Sequence, residues 1–103
     1  AASGILVDGA VGSRVSDNVI EGQKNKGTAA GLVVIDEECL PTDPFFGLSC
    51  LTLARKAIPS DNIFLRNTFK DNDVDIFVNT TGKNNEFRCN SCKTSNLKGL
   101  CAK

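Results

Sequence analysis

The sequence predicts an all-β chain, wound as a short right-handed parallel β-helix of about three rungs with one loop or short-helix insertion. Three observations carry this. Segments centred on asparagine recur in one frame, β-branched strands precede them, and no long helical pattern supplies a crossover for an ordinary βαβ unit.

The asparagine-centred segments are Val15-Ser16-Asp17-Asn18-Val19-Ile20, Phe64-Leu65-Arg66-Asn67-Thr68-Phe69 and Phe87-Arg88-Cys89-Asn90-Ser91-Cys92. Each reads apolar, two intervening residues, Asn, one residue, apolar. Asn67 and Asn90 stand 23 positions apart, and Asn18 and Asn67 stand 49 apart, about two such periods. Asn suits the corner of a coil because it tolerates left-handed backbone angles. Its amide can also bond the Asn of the next rung, so Asn18, Asn67 and Asn90 are expected to form a ladder.

The strands of the second column are Gly4–Asp8, Gly31–Ile35 and Asp73–Phe77, each alternating and rich in β-branched residues. Alternation places Ile5, Val7, Leu32, Val34, Val74 and Ile76 inward, and Leu6, Val33, Ile35 and Phe77 outward. An outward apolar row calls for a cover, from within the chain or from a partner. Residues 38–58 interrupt the second rung. They carry Pro41, Pro44 and Phe45-Phe46-Gly47, then a helical candidate over Leu48–Ala57 that is expected to lie beside that row.

With 103 residues the chain is read as one domain, 1–103, with residues 93–103 as a tail over the end of the coil. Twelve basic and twelve acidic residues give a formal charge of zero, which offers no field for nucleic acid. No apolar run reaches the roughly 20 residues that span a bilayer. The start at Ala1-Ala2-Ser3 and the absence of Met fit a processed chain or an excised fragment. Five cysteines suit an oxidising, extracellular or cell-surface setting.

These residues resemble a known family. Gly-Ile-Leu-Val-Asp-Gly followed by Val-Ser-Asp-Asn-Val-Ile-Glu-Gly is similar to the right-handed parallel β-helix repeats of pectate-lyase-like proteins. The ending from Asn90 through Cys101 is similar to the C-terminal tails of their bacterial members. The resemblance omits only residues 38–58, and it is specific for fold and nearly silent on activity.

The cysteines divide into two sets. Cys39 and Cys50 bracket the insertion, and a disulfide between them would tether it. Among Cys89, Cys92 and Cys101 one thiol is left over. The family resemblance favours Cys92 with Cys101, leaving Cys89 unpaired or joined to another chain. Zinc is the competing reading of Cys89-x-x-Cys92 with Cys101, but no fourth ligand completes the set. Asp71, Asp73 and Asp75 begin like a calcium loop, yet Ile76 and Gly82 stand where such a loop needs Gly and Glu. The resemblance keeps them, and Asp36-Glu37-Glu38, as weak calcium candidates; a solvated acidic corner is the plainer reading.

Catalytic chemistry is poorly served. Without histidine no Ser-His or Cys-His pair can form, and no carboxylate pair flanks a groove. No Trp or Tyr offers a sugar platform, so carbohydrate binding lacks support, and no cofactor is implied. The expectation is a non-catalytic extracellular structural or assembly module, forming a homo-oligomer or fibre through its open coil ends or lateral faces. The alternative makes these the C-terminal rungs of a polysaccharide lyase or depolymerase whose groove lies upstream.

Overall fold

Eight short strands follow one another without a helix between them among the described residues. The computed structural model describes residues 3–37 and 56–101. The strands are β1 (Ser3–Asp8), β2 (Arg14–Ser16), β3 (Val19–Glu21), β4 (Ala30–Ile35), β5 (Ile63–Leu65), β6 (Thr68–Lys70), β7 (Val74–Asn79) and β8 (Glu86–Arg88). They form three small sheets, ordered β1-β4-β7, β2-β5-β8 and β3-β6, and every strand pairing is parallel.

The first two asparagine-centred segments are each two strands, and the third is a strand followed by an isolated bridge. A left-handed residue breaks each in the middle: Asp17, Arg66 and Cys89 have φ of 58°, 54° and 56°. The corner therefore falls one residue before the Asn, and a run of six residues becomes β2 and β3, β5 and β6, or β8 and a bridge at Ser91. The 49-residue step is likewise a single pairing step, because Val15 lies directly beside Phe64. The extra chain length sits between Glu37 and Ala57, which exchange backbone hydrogen bonds of 2.8 and 2.9 Å. The helix expected over 48–57 lies, up to residue 55, outside the described residues; Ala57 itself pairs antiparallel with Glu37.

The register stacks like on like. Ile5, Leu32 and Ile76 align, as do Val7, Val34 and Val78. Val15, Phe64 and Phe87 form a third row, with the two rings stacked 4.5 Å apart. These rows and Ile20, Phe69 and Cys92 make one apolar cluster in which Leu32, Val34, Phe64 and Ile76 are fully buried. Parallel sheets with short steps between like residues concentrate the hydrophobic gain in that column.

Two glycines set how closely the sheets approach. A Cβ on Gly4 would lie 2.7 Å from Ile20 Cγ2, and one on Gly31 would lie 2.8 Å from both Phe69 Cδ1 and the Asp75 carbonyl oxygen. Those positions therefore face the core beside Ile5 and Leu32, which breaks the strict alternation. The break also overturns one expectation: Val74, aligned with Ala30, lines the outer groove instead of the core. Gly31→Ala is expected to lower stability by about 1–3 kcal/mol, the usual cost of overpacking a closed interior. Urea unfolding measures it, and an unchanged midpoint would contradict this packing.

Candidate functional site

The corners hold a buried polar spine. Asn67 is 1% exposed and Asn90 fully buried, so every amide atom there must find a partner. Asn67 Nδ2 donates to the Val15 carbonyl and to Asn90 Oδ1, each at 3.0 Å. Its Oδ1 accepts from the backbone N–H and the Nδ2 of Asn18, both at 3.1 Å. Asn90 Nδ2 closes the column on the Phe64 carbonyl. The asparagines thus act through their amides, and the left-handed angles belong to the residues before them.

Two further columns escape a search for this motif alone. Asn62 donates to Asn85 Oδ1 and to the Ala10 carbonyl, while its Oδ1 takes the N–H of Ser13. Asn72 Oδ1 takes the N–H of Gln23, and its Nδ2 reaches the Ile20 carbonyl. A signal existed: the corners sit five residues apart at 13, 18 and 23, again at 62, 67 and 72, and at 85 and 90. Ser13 and Gln23 stand in for Asn in the first set, which hides the period.

The acidic candidates do different work. Asp73 Oδ2 accepts from the N–H groups of Asn25, Gly27 and Ala29 at 2.6, 3.0 and 3.2 Å, holding the 22–29 loop. Those bonds hold its carboxyl below the ordinary carboxylate range, with the Asn25 N–H the largest cause. Asp75 is buried; its Oδ1 accepts from Asn72 Nδ2, and its Oδ2 from the N–H groups of Lys93 and Thr94. Asp71 is an exposed left-handed corner residue. The three carboxylates are not brought together, and among the described residues no three His, Cys, Asp or Glu side chains converge as a metal site. Asp36 pairs with Lys56 and accepts from the Thr80 hydroxyl. Burial first, and Glu37 second, push Asp8 upward at the same end of the sheet.

Cys92 is bonded to Cys101, and Cys92 and Leu100 pack against the core cluster. Cys89 is an exposed free thiol. Cys39 and Cys50 lie outside the described residues, as does Glu38.

The two ends of the stack differ. At the upper end, beyond β7, Ile76 N–H donates to the Thr94 carbonyl and Asn96 N–H to the Ile76 carbonyl. Asn96 also grips both backbone groups of Val78 through its amide. At the lower end β1, β2 and β3, and at the upper end β8, each pair on one side only among the described residues. Ile5, Ala10 and Val15, which belong to the core, are only partly buried at the lower end. Val19 is 68% exposed.

Across the outer face of β1-β4-β7 runs the aligned row Leu6, Val33 and Phe77. Leu6 and Phe77 are exposed, and with Ile35, Ala30 and Val74 they border a shallow apolar groove. No protein family, curated protein or solved structure matches the chain.

The buried spine and the Asp73 bonds set two expectations. Asn67→Ala removes the partners of Val15 and Asn18 and should cost on the order of 2–4 kcal/mol. Asn67→Asp should cost more at neutral pH, since a carboxylate would face two acceptors; urea midpoints of the two variants, at pH 7 and in mild acid, measure the difference. For Asp73 the lowered carboxyl stabilises the fold above the ordinary carboxylate pKa, and that stability drains away as pH falls through the lowered value. Thermal melts of Asp73→Asn should therefore show a flatter acid limb than the parent, and parallel limbs would contradict the assignment.

Proposed function

We propose that the chain is a segment of right-handed parallel β-helix acting as a non-catalytic extracellular structural module, and that it associates through the unpaired lower edges of β1, β2 and β3. The observation that carries this is the contrast between the ends. In the sheet β1-β4-β7 the upper edge receives the chain's own tail, while the lower edge leaves a row of backbone donors and acceptors unpaired among the described residues.

The pairing order supports this winding. Like residues recur beside one another in three sheets, and parallel crossovers of this kind run right-handed almost without exception. Such a stack is quasi-one-dimensional, so an end that stops without cover invites more of the same structure. The Cys92–Cys101 disulfide fits an extracellular or cell-surface location. The same lower edge also suits a reading in which these are the last rungs of a pectate-lyase-like lyase or depolymerase, with further rungs stacked below.

Hydrogen-bond direction supplies a test of the edge. Thr68 N–H donates to the Asn18 carbonyl and Gly22 N–H to the Lys70 carbonyl, so residues 18, 20 and 22 face β6. The N–H of Val19 therefore points away, and Val19→Pro removes an edge donor without breaking an internal bond. Light scattering after size exclusion should give a mass above the monomer that rises with concentration, and Val19→Pro should return it to the monomer. A parent chain that stays monomeric at every concentration would sink the proposal; release of unsaturated products from acidic polysaccharides would favour the lyase reading.

A further inference from the structure

The chain beyond Cys92 is held to the stack in two quite different ways. We propose that residues 97–101 form a cover over the upper end of the apolar column, kept shut by the Cys92–Cys101 disulfide. Reduction of that bond releases the cover, while residues 93–96 stay in place. This inference stands apart from the use of the lower edges.

Residues 93–96 are bonded to β7. The N–H groups of Lys93 and Thr94 donate to Asp75 Oδ2 at 2.8 and 3.3 Å, and the Thr94 hydroxyl accepts from the Asp75 N–H at 2.8 Å. The Thr94 carbonyl takes the N–H of Ile76, and the Asn96 N–H donates to the Ile76 carbonyl. Asn96 Oδ1 accepts the Val78 N–H at 2.8 Å, and its Nδ2 donates to the Val78 carbonyl at 2.7 Å. Asp75, Ile76 and Val78 are all buried. Lifting this segment would strip Asp75 Oδ2 of its donors and Val78 of both partners, and buried polar groups left so are costly. The segment stays docked on its own bonds.

Residues 97–101 have no such grip. Among the described residues no hydrogen bond joins them to any strand; the Leu97 carbonyl accepts from the Ser95 hydroxyl, within the tail itself. Leu97 is exposed. Gly99, at φ 84°, turns the chain. Leu100 then packs, partly buried, against the core cluster, and Cys101 is joined to Cys92. One contact and one covalent bond hold the segment down.

The contact is too weak to do so by itself. A single half-covered leucine gains less from burial than a segment of this length loses in conformational freedom when it is ordered. The disulfide removes most of that loss beforehand, because it closes the loop from 92 to 101 whether or not Leu100 is seated. With the bond intact the leucine stays on the column; with the bond broken the segment comes away. Phe87 and Cys92 stand last in their rows and are only partly buried with the cover shut. Opening bares them.

The opening step takes two electrons, which a dithiol supplies. One of its thiolates attacks a sulfur of the Cys92–Cys101 bond and forms a mixed disulfide, and its second sulfur then closes on the first. The reductant leaves as a cyclic disulfide, and its two protons end on Cys92 and Cys101. A disulfide oxidant reverses the exchange and shuts the cover.

Backbone nitrogen relaxation on the full chain reads the two parts separately. In the oxidised chain residues 98–101 should be as rigid as the strands, with order parameters of about 0.85. Dithiothreitol should lower them below about 0.6, while Thr94, Asn96, Ile76 and Val78 keep strand-like values. Cys101→Ser should show the same pattern without reductant, which confines the effect to this bond. Order parameters for 98–101 that stay high after reduction and in Cys101→Ser would overturn the proposal. A drop shared by Thr94, Asn96 and β7 would overturn it as well, since the tail would then be one unit; a chain that unfolds on reduction gives that same result.

Discussion

Every corner of this molecule turns on the need to satisfy backbone groups that the tight stacking removes from water. Three strands can stack on one another only if the chain bends between sheets, and a bend exposes N–H and C=O groups that neither sheet can use. The buried amides of Asn62, Asn67 and Asn90 answer this directly, each bonding backbone below and, for the first two, the equivalent amide above. A side chain with one acceptor and two donors at the end of a single carbon is nearly the only one that fits both duties. The apolar rows between the corners then supply the bulk of the stabilisation, in positions the amides have fixed.

That division explains what could be read from the sequence. The strands at Ser3–Asp8 and Ala30–Ile35 were legible because β-branched residues alternate within them, and the column of Asn18, Asn67 and Asn90 was legible because each Asn is flanked by core residues. Ser13 and Gln23 concealed the other two columns, since the groups bonded there are their backbone N–H groups and no side-chain pattern records them. The left-handed positions were misplaced by one residue for a related reason. Arg66 and Cys89 have no intrinsic preference for φ above zero, and they adopt it because the Asn that follows pins the turn.

The acidic residues carry a second lesson. A run of alternating aspartates looks like a cation site when only spacing is visible. In the fold Asp73, just before β7, and Asp75, within it, take different tasks: Asp73 holds the preceding loop and Asp75 the tail. Backbone N–H groups then take the place of a metal.

The paired stem at Glu37 and Ala57 has a consequence for how such a chain tolerates change. Two backbone hydrogen bonds bring the chain back to its departure point before the second turn resumes at Pro59 and Ser60. The columns above and below are aligned by amides and apolar rows, none of which measures the length of chain between them. Lengthening an excursion that closes on itself costs only about 0.6 kcal/mol for each doubling. A change of chain length is therefore expected to cost least beyond the stem at Glu37 and Ala57, because the register of the strands on either side is set by their own rows and amides.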